Sequence, residues 1–344
     1  MNESQRRTVK LSILDQSPII SGHTPAQALR ATIELAQRAE ALGYHRYWLA
    51  EHHNMHGLAD PCPEILLGQV AAETRHIRVG TGGVLLPYYS PLKVAEVFRM
   101  HEALHPGRID LGIGRAPGGD RLTANAMNAQ AFDDMDAFPR QVLDVVGWLD
   151  RSLPAEHPYA TVQAMPIGLG SPEVWLLGSS DYSAALSAYL GLRFAFAHFI
   201  NAHGGDAVSR AYRSDFRPSS REPKPCNMVC VFAICAETEA EAGRQAASID
   251  HRRLLMATGR ESVVASTAEA LAQNYGERER AIIQRERERA VIGTPAHVKS
   301  RLLEIGAAFE ADELMVITIT GDYASRARSY ELLAAEFDLQ PPSA

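Results

Sequence analysis

Arg46-Tyr-Trp-Leu-Ala-Glu-His-His-Asn54 is a short apolar run that ends abruptly in ionisable side chains. An aromatic and aliphatic stretch of this length reads as a strand, and the polar residues begin where that strand would end. The same unit recurs in both directions. Upstream, Val9–Leu14 is a β-branched and aliphatic run that closes at Asp15-Gln16-Ser17-Pro18. Thr24-Pro25-Ala26-Gln27 then supplies an N-cap, a proline at the first helical position and a capping-box partner. Leu29, Ile33, Ala36 and Ala39 fall on one face of the helix that follows, and Gly43 ends it.

Downstream come helix Pro63–Arg75, strand Ile77–Gly82, helix Pro91–Leu104 after Ser90, and strand Ile109–Gly112. The rhythm breaks over residues 116 to 173, which hold a glycine-rich turn, a helix around Phe138–Leu149 and proline-punctuated coil. It resumes with strand Val174–Leu177, helix Ser180–Leu190, strand Arg193–Ala197, helix Asp206–Phe216 and strand Asn227–Cys235. A helix from Glu239 leads into the charged stretch Glu277–Arg289. Thr294-Pro295 starts another helix, and strand Glu313–Thr320 and helix Tyr323–Phe337 close the chain.

Eight strands, each followed by a helix, predict an α/β fold with a parallel sheet, most economically closed as a (β/α)₈ TIM barrel. An open doubly wound sheet is the alternative. It is disfavoured because Gly112-Ile-Gly-Arg-Ala-Pro-Gly118 is not followed by a glycine-rich helix start. The prediction is one domain over 1–344, with an insertion over 116–173.

Of the 344 residues, 46% are hydrophobic and 22% charged, which suits a globular chain with a substantial core. A net charge of −7 leaves no basic excess to neutralise phosphates, so nucleic acid is set aside. No signal-peptide core and no membrane-length apolar stretch is present, and a cytoplasmic location is expected. Cys226, Cys230 and Cys235 lie in or beside a strand-like run with no nearby histidine, and read with Cys62 as free thiols rather than zinc ligands.

In a barrel of this kind the strand C-termini share one mouth. The second strand brings Glu51, His52, His53 and Asn54, the third Thr81, Gly82 and Gly83, the fourth Arg115, and the fifth Gly178, Ser179, Ser180 and Ser183. A hydroxyl-rich helix start offers unpaired N–H groups to an anion, and an arginine fork could complete a phosphate site. The plain alternative is that Ser180 only caps its helix and Arg115 pairs with a carboxylate. Gly82-Gly83 reads equally as the close approach of a flat ligand or as a β-bulge. His52, with its near-neutral pKa, suits proton transfer, whereas His53 faces away and is expected to pack or to pair with Glu51. A metal held by His52 and His56 is disfavoured, because the loop between them lacks helical spacing. Gln16, Asn54 and His198 are expected to shape a substrate pocket, by position alone.

Together Trp48-Leu-Ala-Glu-His-His53, Val79-Gly-Thr-Gly-Gly-Val-Leu-Leu-Pro87, Pro106-Gly-Arg-Ile-Asp-Leu-Gly-Ile-Gly-Arg115, Val174-Trp-Leu-Leu-Gly-Ser-Ser180 and Ile292-Gly-Thr-Pro295 resemble the bacterial-luciferase-like flavin monooxygenases. The resemblance runs from Lys10 to Phe337. It implies a TIM barrel that binds FMN in its reduced form, supplied by a separate NAD(P)H-dependent FMN reductase. A homodimer and a mobile lid after the seventh strand, over about 255–292, are also implied.

The family's phosphate-binding arginine falls on Arg115 and its hydroxyl-bearing helix start on Ser179, Ser180 and Ser183. Its non-proline cis peptide falls near Gly82-Gly83, with Thr81 and Gly178 beside these groups, and its catalytic histidine falls on His52. Gly114 stands where luciferases proper carry cysteine, and Ser179 where they carry glutamate, so light emission is not expected. Arg115 favours FMN over deazaflavin. The expected reaction is oxygenation of a small organic substrate by reduced FMN and O₂ through a C4a-(hydro)peroxyflavin. The alternatives are a deazaflavin (F420)-dependent hydride-transfer oxidoreductase and a non-catalytic flavin-binding protein.

Overall fold

The structure, a computed structural model, describes residues 9–134, 136–168 and 170–342. Eight parallel strands form the barrel: Lys10–Asp15, Arg46–Leu49, Arg78–Thr81, Ile109–Gly114, Glu173–Gly178, Arg193–Ala197, Asn227–Cys235 and Glu313–Ile317. The eighth strand pairs with both the first and the seventh, so the sheet closes and the open-sheet alternative falls away. Two short strands are added to this ring. Val84–Leu85 continues beside the fourth strand, and Ala290–Gly293 lies against the end of the seventh.

The seventh strand shows why the sequence looks continuously apolar there. All nine of its residues are buried. Val229, Val231, Ala233 and Cys235 pack into the layer between strands and helices, while Met228, Cys230, Phe232 and Ile234 fill the barrel interior. A parallel strand covered on both faces has no solvent side to alternate with. The thiols of Cys62, Cys226, Cys230 and Cys235 are free.

Local signals set the helix limits. The capping box at Thr24 and Gln27 is formed, and Gly43 ends the helix in the left-handed conformation at φ 87°. The last strand is shorter than its apolar run suggests. After Ile317, the Thr318 amide donates to the Tyr330 hydroxyl at 2.9 Å, and its own hydroxyl donates to the Ala233 carbonyl at 2.7 Å. Within the insertion, a helix over Arg121–Asn128 precedes the anticipated one, which runs Ala137–Asp150. The charged stretch is a helix, Glu277–Arg287, with no buried residue. No helix among the described residues is long and apolar enough to cross a membrane.

At the strand N-termini the barrel is shut by charge. Arg46 binds Glu313 through Nε at 2.7 Å and Nη2 at 3.0 Å, and binds Asp110 through Nη1 at 2.7 Å. Asp110 also accepts from Arg78 Nε and from the Trp48 indole, both at 2.9 Å, and Glu173 links Arg46 with Arg193. Above this layer Trp48 and Trp175 meet edge to face with centroids 5.5 Å apart, and the Arg46 guanidinium lies 5.0 Å from the Trp175 ring centroid. This stack forms the floor of the opposite mouth.

Candidate active site

Above the tryptophans the strand C-termini enclose a cavity of about 450 Å³, within the range of small-molecule sites. It is lined by Gln16, His52, Gly82, Gly83, Arg115, Gly178, Ser179, Ser180 and Ser183. Apart from Glu51 the remaining wall is mostly apolar, from Leu14, Leu177, Ala195, Phe196, Phe199, Ile200 and Met315, with Phe132 reaching in from the insertion.

Three residues expected at the site lie outside this cavity. Thr81 is turned into the sheet, where its hydroxyl donates to the Gly112 carbonyl at 3.0 Å and accepts from the Gly112 amide at 3.2 Å. Asn54 adopts a left-handed backbone at φ 53° and bonds Asp120 at 3.1 Å on the surface. His198 sits in the turn after the sixth strand and faces a second cavity. Its neighbours Ala197 and Phe199 line the first.

Glu51, His52 and His53 divide the work of the second strand's end. Glu51 is only 3% exposed and is held on three sides. One oxygen meets the His53 ring nitrogen Nε2 and the Tyr89 hydroxyl, each at 2.7 Å, and the other accepts from the Leu85 amide at 2.9 Å. This carboxylate is a strut. His52 faces the cavity, and its Nδ1 is buried with no hydrogen-bond partner. Burial, assisted by the charge of Arg252, holds its pKa down to about 4. The imidazole is therefore neutral near pH 7, with an unmet ring nitrogen beside the cavity.

Arg115 meets no carboxylate among the described residues. Its guanidinium lies 3.9 Å from the Tyr182 ring centroid, and Nη1 is buried without a partner. A buried unsatisfied donor on a permanent cation is costly unless a ligand completes it. Opposite stands the helix Asp181–Leu190, whose N-cap Ser180 makes no side-chain capping bond. The Ser180 hydroxyl and the first amides are thus not engaged by that cap. A Cβ at Gly178 would lie 2.7 Å from the Ser183 hydroxyl, so that glycine lets Ser183 close up to the strand end.

Across the cavity the Gly82–Gly83 peptide is cis. A Cβ on Gly83 would lie 2.7 Å from the Gly112 carbonyl oxygen, so the chain can pass here only as glycine. The residues fit a phosphorylated planar ligand: an arginine with a free donor and a helix N-terminus for the phosphate, and an apolar slot for the ring.

One buried acid escaped the sequence reading. Asp60 is 3% exposed, one carboxyl oxygen accepts from the Cys62 amide at 3.1 Å, and the other has no partner. Burial, with added repulsion from Asp15, Glu64 and Glu51, pushes its pKa up to about 7. It belongs to the loop that carries His52, whose amide donates to the Asp60 carbonyl at 3.3 Å. Ala59-Asp60-Pro61 gives no local sign of this, because the burial comes from distant elements.

Comparison with known proteins agrees with this geometry. Residues 9–310 match the family model described as luciferase-like monooxygenase. A luciferase-like monooxygenase of Escherichia coli strain K12 is 40% identical over 328 residues, covering 95% of this chain and 96% of its own. An N-acetyl-S-alkylcysteine monooxygenase of Bacillus subtilis is 38% identical, covering 95% and 97%. The crystal structure of apo-MsnO8 superposes with a TM-score of 0.89 at 41% identity, covering 97% of this chain and 98% of the other. Closed barrel, mouth and full-length similarity lead to one conclusion: the chain belongs to the luciferase-like monooxygenase family of flavin-dependent monooxygenases.

Proposed function

We propose that the chain is the oxygenase component of a two-component system, taking reduced FMN from a separate reductase and using O₂ to oxygenate a small organic substrate. The observation that carries this reading is the buried, unpartnered Nη1 of Arg115 beside the hydroxyl-bearing start of the Asp181–Leu190 helix. A flavin phosphate satisfies both at once. Bound reduced FMN would supply the activation of oxygen.

The chain's own residues supply the rest. Arg115, Ser179, Ser180 and Ser183 would hold the phosphate, and Gly82 and Gly83 would flank the ring. Phe132, Phe199, Ile200 and Met315 exclude water from the reacting volume. His52 enters the reaction neutral, so it can accept a proton without first losing one to solvent, and can donate only the proton it has accepted. Glu51 keeps the strand end fixed while this happens. One relative's name points to thioethers as the first substrates to screen.

Anaerobic titration with reduced FMN and with reduced F420 tests the cofactor. Tighter binding of reduced FMN is expected, and preference for F420 would replace the oxygenase reading with hydride transfer.

A further inference from the structure

The loop between the second strand and the helix Pro63–Ala72 joins three elements at one point. The Ala59 amide donates to the Ser17 carbonyl at 2.9 Å, which ties the loop to the end of the first strand. The His52 amide donates to the Asp60 carbonyl at 3.3 Å, which ties it to the end of the second. The Asp60 carboxyl accepts from the Cys62 amide at 3.1 Å, just before the helix begins. Gln16, next to Ser17, and His52 both line the mouth, so this junction sets two residues of the cavity wall.

Acidic groups face Asp60 from every side: Asp15 on the first strand, Glu51 at the end of the second, and Glu64 on the helix, with the Cys62 thiol beside it. The two buried carboxylates among them have partners. Asp15 accepts from Arg326 Nη2 at 2.6 Å, from the Ser17 amide at 2.7 Å and from the Tyr47 hydroxyl. Glu51 has the Leu85 amide, the Tyr89 hydroxyl and the His53 ring. Asp60 has one amide, an Oδ2 without a partner, and no ion pair among the described residues. Burying an unanswered charge costs far more than burying a neutral carboxyl, so the junction is built for the acid and not for its anion.

We propose that Asp60 is a positioning residue for the reaction at the mouth: as a neutral acid it holds the junction that seats His52 in the cavity wall, and as an anion it loosens that junction. Its bearing on the reaction rests on the proton-handling role of His52 proposed above. Linkage sets the sign. The folded pKa, about 7, stands above the ordinary carboxylate value. The junction is therefore firmest below the ordinary carboxylate range and weakens as pH rises, until Asp60 is ionised above 7.

The experiment is hydrogen exchange of the flavin-free full chain between pH 5 and pH 8, with rates corrected for the chemical effect of pH. Protection over residues 52–62 of the parent is expected to fall at least about tenfold across that range. In Asp60→Asn it is expected to stay constant, which the loss of a merely structural contact would not give. No fall over 52–62 in the parent, a fall shared by every segment of the chain, or an equal fall in Asp60→Asn overturns the proposal. The same two proteins are then loaded with reduced FMN, and reoxidation is compared with free reduced FMN at each pH. The parent is expected to lose its slowing toward pH 8 while Asp60→Asn keeps it, and identical profiles overturn the role at the mouth. The exchange measurement uses no flavin, so a failure of the proposed function leaves its outcome intact.

Discussion

The two ends of the barrel treat charge in opposite ways. At the strand N-termini, Arg46, Arg78 and Arg193 are matched by Asp110, Glu173 and Glu313. At the C-terminal mouth, His52 and Arg115 each keep a buried nitrogen with no partner. The difference teaches where each property of the molecule lives. A satisfied buried network locks the closed end, and breaking it leaves uncompensated charge. Unmet donors at the open end cost stability that a ligand can return. The shared floor is Trp48, whose indole donates to Asp110 below while its ring lines the cavity above.

The sharpest way to break this contrast is Arg46→Ala. It leaves the buried Glu313 without an arginine, takes one of two or more arginine partners from Asp110 and Glu173, and should cost about 3–5 kcal/mol, read as a lowered urea midpoint. A loss comparable to that of an exposed ion pair would mean that the closed end is not a locked network. Acid acts on the same end. Although burial opposes it, the arginines Arg46, Arg78 and Arg193 hold the Glu173 pKa at about 2. Its contribution is therefore present above the usual carboxylate range and is lost as pH falls from there toward 2.

At the open end, Arg115→Gln should weaken FMN binding roughly ten- to a hundredfold, the worth of a charge-assisted hydrogen bond. Stability of the ligand-free protein should be unchanged or slightly raised. Unchanged flavin affinity would move the phosphate elsewhere. Asp60→Asn sharpens the comparison from a third direction. With its folded pKa raised to about 7, Asp60 supports folding fully below the usual carboxylate range, and that support is lost as pH rises through 7. The asparagine variant should therefore be more stable than the parent by about 4 kcal/mol at pH 8, and equal to it near pH 4. A stability gain of the same size at both pH values would show that ionisation is not its cause.

Much of the frame was legible from residue patterns. The sixth and seventh strands and the helix Pro91–Leu104 begin and end where the apolar runs and capping residues place them. The strand-end rule also brought Gln16, His52, Gly82, Gly83, Arg115, Gly178, Ser179, Ser180 and Ser183 into one cavity. It could not resolve rotation within a turn. The His198 amide bonds the Phe196 carbonyl at 3.2 Å, in a turn that gives His198 to one cavity and both its neighbours to the other. Asn54 is likewise carried outward by a left-handed backbone. Asp60 and the ion-pair layer were not legible because long-range burial and pairing decide them. The partners of Arg46 come from the fourth, fifth and eighth strands.

The most direct measurement is rapid mixing of the protein, loaded anaerobically with reduced FMN, with oxygenated buffer, for the parent and for His52→Ala. The account predicts that the parent reoxidises its flavin more slowly than free reduced FMN, and that His52→Ala binds flavin equally but loses this protection or the oxygenated product. Reoxidation at the free-flavin rate in the parent, or product formation untouched by the substitution, would contradict the role assigned to the open end.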